Sequence, residues 1–274
     1  MEDNSEEAGL VWDFPVPIDL VHADLPMEAR FAYIYLLSKC DRKARTLRAH
    51  HTGLAEELHI HRATLRKLVA ALEQTGWIQL QRAGRHETIF VMRNPVLEER
   101  QAELQRVKAR LAGAPFKGEA IMHELLDQEV PLTKYDLNAR LGFLRNPGTD
   151  QPLELDRWYF EEKVGFEFNG PQHYGPTEAF PDPQKARNTM ARDYIKRAIC
   201  QEHGIRLITI TAEDLTPERM EQKIRGILPL RQLRPDDPVL QYLGHIGRQY
   251  MRQIGGRPGR LTDTRPHRPG VEGH

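Results

Sequence analysis

Cysteine is nearly absent from this 274-residue chain: only Cys40 and Cys200 occur. They lie far apart and outside any CxxC pair, which excludes a disulfide framework and argues against a zinc site. A reducing, cytoplasmic setting fits. Long apolar runs are missing too. None approaches the roughly 18 residues needed to span a bilayer, so no membrane segment is expected. The start of the chain, Met1 to Gly9, is acidic and polar, unlike a secretory signal. No internal repeat is visible, and no nucleotide cofactor is expected. Net charge is also lacking, with 39 basic and 39 acidic residues. What remains is an apolar fraction of 39%, adequate for globular cores, in a length suited to two domains.

The zero net charge is a sum of opposed blocks. From Arg30 to Arg93 the chain carries 12 basic and 5 acidic residues, a balance of +7. The first 29 residues carry eight acids and no Lys or Arg. A clustered basic block fits contact with nucleic acid, although solvated faces also carry charge blocks.

Five segments follow from patterning. Residues 1–25 read as a flexible N-terminus, disordered over 1–14. Residues 26–95 read as one compact unit. Apolar positions Ala29, Ala32, Tyr33, Leu36 and Leu37 recur near the helical period. A second helix is expected from Gly53 to Leu58 with Thr52 as N-cap. After a break at His59-Ile60-His61, a third runs from Arg62 to Thr75 and stops at Gly76. Two short alternating segments follow, Trp77–Gln81 and Glu87–Met92, joined at Ala83-Gly84-Arg85. Residues 96–114 read as a charged connector helix. Residues 115–230 form a second domain. It has a helix at Glu119–Gln128, strands at Leu153–Phe160 and Lys163–Asn169 joined at Glu161-Glu162, and a helix at Lys185–His203. An apolar strand, Ile205–Thr211, and a helix capped by Thr216 complete it. Residues 231–274 read as a basic, partly disordered tail. The fold class is α/β (α+β), with a winged helix-turn-helix in front of a mixed sheet flanked by helices.

The stretch TGLAEELHIHRATLRKLVAALEQTGWIQLQR resembles the winged-helix modules of bacterial transcription and replication proteins. Leu54, Ala55 and Leu58 would pack on Leu65, Leu68, Val69 and Leu72. That leaves Arg62, Ala63, Thr64, Arg66 and Lys67 outward, on the half of the recognition helix that enters a major groove in such motifs. Arg pairs with guanine edges and Lys holds phosphate. Arg82 and Arg85 flank the wing tip. The expected DNA-binding set is therefore Arg62, Thr64, Arg66, Lys67, Arg82 and Arg85, the competing use of such a module being protein contact. His50, His51, His59 and His61 lack carboxylate or Cys partners at ligand spacing, so they read as solvated or phosphate-facing. Cys200 reads as a packed thiol.

The most informative stretch is PLELDRWYFEEKVGFEFNGPQHY. Strand alternation puts Glu167 and Asn169 on one face and Phe166 and Phe168 on the other. Pairing the two strands sets Asp156 beside Glu167. Two such carboxylates repel unless neutralised, and a divalent cation with hard oxygen ligands does this.

These pieces resemble the PD-(D/E)xK, restriction-endonuclease-like nuclease superfamily, on the side of its very-short-patch-repair and homing endonucleases. The matched parts are Gly118-Glu119, Arg145 to Pro147, Leu153 to Asp156, Glu167 to His173, Asp193 to Lys196 and Gly204-Ile205. The resemblance implies a mixed sheet flanked by helices. It also implies a site in which Asp156, Glu167 and Glu119 bind Mg²⁺, with Mn²⁺ as an alternative. The implied reaction is phosphodiester hydrolysis on double-stranded DNA, and a homodimer is among the arrangements allowed. Two residues depart from the pattern: Leu155 replaces the Pro before Asp156, and Asn169 replaces the Lys two positions after Glu167. Asn carries no charge, so Gln172, His173 or Lys196 must stand in. The sequence favours Gln172 orienting a water and His173 assisting, with Lys196 in a lesser role. Competing functions are a structure- or mismatch-selective nuclease, a transposition-associated nuclease subunit, and a DNA-binding regulator on an inactive nuclease scaffold.

Overall fold

The apolar period read in the first helix becomes the buried face of α1 (Met27–Lys39), where Ala29, Ala32, Tyr33, Leu36 and Leu37 turn inward. The computed structural model describes residues 16–41, 43–170 and 183–254, with the backbone alone for 183–190. The readings of residues 1–14, of Arg42, of Gln172 and His173, and of the tail from Gly255 lie outside the described residues. The chain divides into two units, Met1–Ala102 and Glu103–His274.

In the first unit, α1 is followed by β1 (Thr46–Ala49), α2 (His51–Glu57), α3 (Arg62–Gln74), β2 (Ile78–Arg82) and β3 (Thr88–Met92). The three strands form one antiparallel sheet in the order β1-β3-β2. This is the element order of a winged helix-turn-helix. Leu54 and Ala55 of α2 pack with Leu65, Val69 and Leu72 of α3, as expected, over Trp77, Ile78, Phe90 and Met92. The turn between α2 and α3 is built by hydrogen bonds from His59 N to Glu56 O and from Ile60 N to Ala55 O, 3.0 Å each. With His59 at φ 52°, this is a Schellman closure carrying His where Gly is usual.

Three expectations change here. Residues 18–25 carry structure. A 3₁₀ turn at Ile18–Leu20 sends Leu20 and Leu25 into the core, and Arg30 donates to the carbonyls of Val21, Ala23 and Leu25. Thr52 is not the N-cap of α2, which begins two residues earlier than expected, at His51, with His50 at the cap position and no side-chain cap bond. Finally, β1 was not foreseen.

The connector helix is present as α4 (Pro95–Gly113), but its later half is not a free linker. Leu104, Val107 and Leu111 pack into the second unit's core. Next come α5 (Lys117–Glu129), β4 (Asp136–Ala139), β5 (Leu155–Tyr159), β6 (Val164–Asn169), α6 (Pro183–Glu202), β7 (Arg206–Thr211), α7 (Pro217–Ile224) and α8 (Pro238–Gln253). The sheet order is β4-β5-β6-β7, antiparallel except for the parallel β6–β7 pair that α6 connects. Helices cover both faces. Val164 and Phe166 face α5, α7 and α8, whereas Cys200, with Ile195 and Ile199 beside it, packs on Leu155, Trp158 and Leu207. Cys200 is fully buried, the packed thiol expected.

The second unit extends past the expected boundary at 230. Residues 238–253 form α8, whose Val239 and Leu243 sit in the main core with Ile246 and Tyr250 against it. Asp237 caps this helix by accepting from Val239 N and Leu240 N. Two glycines allow the helices to approach closely. A Cβ at Gly118 would lie 2.2 Å from the Phe168 ring, and one at Gly247 would lie 1.6 Å from the Leu215 carbonyl oxygen. The second contact is with backbone and cannot be relieved by a rotamer change. Gly247→Ala is therefore expected to destabilise the protein by about 1–3 kcal/mol or more. Gly53→Ala, with nothing near its Cβ and a helical position, should be neutral or stabilising by up to about 1 kcal/mol. Urea midpoints of the two variants check this.

Candidate functional site

The strand pairing that sets Arg157 opposite Phe166 and Trp158 opposite Gly165 brings Asp156 and Glu167 to adjacent positions on the α6 side of the sheet. Both line a cleft of about 250 Å³ with Arg192, Asp193 and Lys196 of α6. Asp156 Oδ2 accepts from the Phe168 amide at 2.6 Å. Glu167 Oε1 accepts a hydrogen bond from Lys196 Nζ within an ion pair whose two side chains are almost wholly buried. Glu167 Oε2 is buried and has no partner among the described residues.

The electrostatics follow from this crowding. Burial pushes the Glu167 carboxyl up to about 7, the negative charge of Asp156 pushes the same way, and Lys196 opposes both. Asp156 is also raised, first by burial and then by Glu119, against the Phe168 amide, Lys196 and His123. Two carboxyls raised in this way are favoured in their charged forms by nearby positive charge.

The expected residues are distributed unevenly. Asp156, Glu167 and Lys196 meet. Asn169 follows on the same face of β6, buried, with its Oδ1 unpartnered among the described residues. Glu119 does not line the cleft. Its helix α5 covers the other face of the sheet, and its carboxylate stands 3.5 Å from His123 Nε2. It touches the site only through its charge on Asp156. Among the described residues no three His, Cys, Asp or Glu side chains are grouped closely enough to hold a metal ion, so the three-carboxylate set is not assembled. The expected Arg145-Asn146-Pro147 piece forms a turn, with Arg145 paired to Asp150 at 2.8 Å and Asn146 accepting from Gly148 N.

Sequence reading missed three side chains. Arg192 lies at the cleft, exposed and one helical turn from Lys196. His123 sits within the field of Asp156. Arg157, fully buried, donates to Asp127 Oδ1 at 2.7 Å and to His123 O at 3.2 Å, and stacks 3.6 Å from the Tyr135 ring. It clamps α5 to β5 directly beside Asp156. The signal for Arg192 was available: it lies four residues before Lys196, hence on the same helix face.

The first unit carries a different surface. Arg62 and Arg66 of α3 and Arg82 and Arg85 of the wing line one concavity of about 850 Å³. His50, His51 and His86 line it too, and His50 Nδ1 lies 2.9 Å from His86 O. His51 is held below the usual histidine range, first by burial and then by Arg66 and Arg62. Glu87 is the acid on this wall, near Arg48 at 3.8 Å. Thr64 and Lys67 are exposed on α3 outside the lining.

Part of the chain is similar to proteins of three viruses. The chain is 40% identical over 84 residues to uncharacterized protein 033L of Invertebrate iridescent virus 3, which covers 29% of this chain and 43% of that protein. It is 34% identical over 97 residues to uncharacterized protein 307L of Invertebrate iridescent virus 6, covering 32% and 49%. With uncharacterized protein 094L of Frog virus 3 (isolate Goorha) it shares 39% identity over 74 residues, covering 26% and 48%. The match thus spans about half the length of these curated relatives. No family model and no solved structure matches.

The charge coupling in the cleft is directly measurable. Asp156→Asn should lower the midpoint of Glu167 from about 7, because it removes a neighbouring negative charge. Lys196→Met should raise it. Carboxyl ¹³C chemical shifts followed against pH in metal-free buffer check both directions.

Proposed function

We propose that this chain is a Mg²⁺-dependent DNA endonuclease of the PD-(D/E)xK kind, with the winged helix supplying affinity and the α6-side cleft the chemistry. The observation that carries the reading is the meeting of Asp156, Glu167 and Lys196 in one solvent-reached cleft, since this supplies the cation that Asn169 lacks. The +7 block and the four-arginine concavity support duplex DNA as the partner.

The donor set suits a hard cation. Asp156 and Glu167 offer carboxylate oxygens, Glu167 Oε2 is buried without a partner, and both groups are raised by desolvation and by neighbouring negative charge. These two residues would hold the ion. When bound, it supplies Lewis acidity and positive charge at the phosphoryl oxygens. Lys196 keeps a fixed positive charge against Glu167 and toward the charge that builds on the phosphate. Arg192 offers a second cationic donor at the mouth of the cleft, suited to a phosphate oxygen. The Phe168 amide holds the Asp156 carboxylate in place. Lys196, which meets Glu167 in the cleft, is the charged group of this reading; Gln172 and His173 lie outside the described residues.

On this reading Asp156→Ala and Glu167→Ala abolish cleavage of plasmid DNA in Mg²⁺ and leave duplex binding nearly intact. Lys196→Met should slow single-turnover cleavage by roughly 10²–10³. Wild-type protein that binds duplex DNA and never cuts it would leave the DNA-binding regulator as the better reading.

Arg62→Ala and Arg66→Ala should weaken duplex binding and flatten its salt dependence, by about 0.9 in log–log slope for each phosphate no longer neutralised. Titrations of the full chain between low and moderate salt check this. Unchanged slopes would redirect the concavity to a protein partner.

A further inference from the structure

Three histidines, His50, His51 and His86, stand among the four arginines of the first unit's concavity. His50 engages its Nδ1 with the His86 carbonyl oxygen at 2.9 Å. His51, the first residue of α2, is held differently. Its ring lies tilted on Phe90, with the centroids 5.4 Å apart. Its Nδ1 is buried and has no partner among the described residues. Packing therefore fixes the ring, and Nε2 is the nitrogen that a molecule in the concavity can reach.

The charges that bear on this ring are positive. Arg66 and Arg62 of α3, four residues apart and so on one helix face, act on it directly and, behind the larger effect of burial, favour the neutral imidazole. Arg82, Arg85 and His86 face the same space from the wing, and Phe90 behind the ring carries no charge. Glu87 is the acid on that wall, with Arg48 3.8 Å away. A phosphate group reverses this balance. Seated against Arg62 and Arg66, it offsets the two charges that oppose protonation of His51. It also offers an anionic oxygen to an imidazolium N–H, a bond about twice as strong as one between neutral groups.

On the duplex-binding role proposed for this concavity, we infer that a DNA phosphate seated against Arg62 and Arg66 is also bound by His51, which takes up a proton as the duplex binds. Binding then strengthens as pH falls. The window lies between the His51 midpoint in the free protein, below the usual histidine range, and its higher midpoint in the complex. Within it, affinity changes by up to about tenfold per pH unit, the limit for one proton. Above the upper midpoint and below the lower one, this contribution is flat.

Two measurements on the full chain with a short duplex test it, in EDTA so that no strand is cut. Histidine ring signals, assigned by substitution, are followed by NMR against pH with and without the duplex. The His51 midpoint is expected to rise on binding. Calorimetry in buffers of different ionisation enthalpy should register proton uptake, and His51→Gln should remove it. That variant should bind severalfold more weakly at the acid end of the window and nearly as wild type at the alkaline end. The NMR midpoint is read on the wild-type protein, so it decides the case if His51→Gln does not fold. A His51 midpoint that the duplex leaves unmoved, or uptake carried by His50 or His86 and untouched by His51→Gln, would overturn the inference while duplex binding stands. A chain that binds no duplex at any pH would overturn the DNA-binding reading and the His51 contact together.

Discussion

Two carboxylates cannot share a desolvated face of a sheet unless positive charge comes with them. The β5–β6 register forces that condition on this chain by setting Asp156 beside Glu167. The rest of the second unit is arranged around it. Helix α6 crosses from β6 to β7 on the same face, which is where Lys196 has to be to reach Glu167. The parallel β6–β7 pair fixes the path of that crossing. On the opposite face Arg157 ties α5 to β5 through Asp127 and the His123 carbonyl. Asp156 is thus held from both sides, by the Phe168 amide along the sheet and by a clamped strand beneath it.

The two units solve opposite electrostatic problems. The concavity of the winged helix gathers arginines with little acid near them, and His51 there is driven toward its neutral form by burial and by those same arginines. The cleft of the second unit gathers acid, and its carboxyls are driven toward their neutral forms. On the proposed reading this is a division of labour. An acidic cleft repels a polyanion, so affinity has to arise on another surface, and the net charge of zero conceals both.

Much of this was legible in the sequence, and the failures have physical causes. Alternation located β5 and β6 and put Glu167 and Asn169 on one face, because a period of two needs only local sequence. Helical periodicity likewise gave α1, and the glycines Gly76 and Gly204 bounded α3 and α6. The position of Lys196 was not readable, since it depends on which face of the sheet α6 crosses. The distance of Glu119 from the cleft was unreadable for the same reason: its helix covers the other face of the sheet. The four residues of β1 carry too short a pattern to register. Helix α8 was hidden by Pro229, Pro235 and the charged residues around them, which resemble a disordered tail. Its signal was nevertheless present, as Val239, Leu243, Ile246 and Tyr250 recur three or four residues apart.

Glu167 and Glu129 make an instructive pair, because burial raises both and only one has been given a cation. Glu167 has Lys196 against it, and its carboxyl reaches about 7. Glu129 has none, feels two further glutamates, and reaches about 9. The difference follows from what each helix presents: α6 turns a lysine toward its carboxylate, whereas α7 turns Glu218 and Glu221 toward theirs. A fold seldom leaves a fully desolvated carboxyl without a hydrogen bond unless something else supplies it. At Glu167 the supply is internal and leaves one oxygen open. At Glu129 both oxygens are buried without a partner among the described residues, and the nearby charges on α7 push the carboxyl further toward its neutral form. The contrast separates a carboxylate furnished with its counter-charge from a carboxyl that burial pushes toward its neutral form.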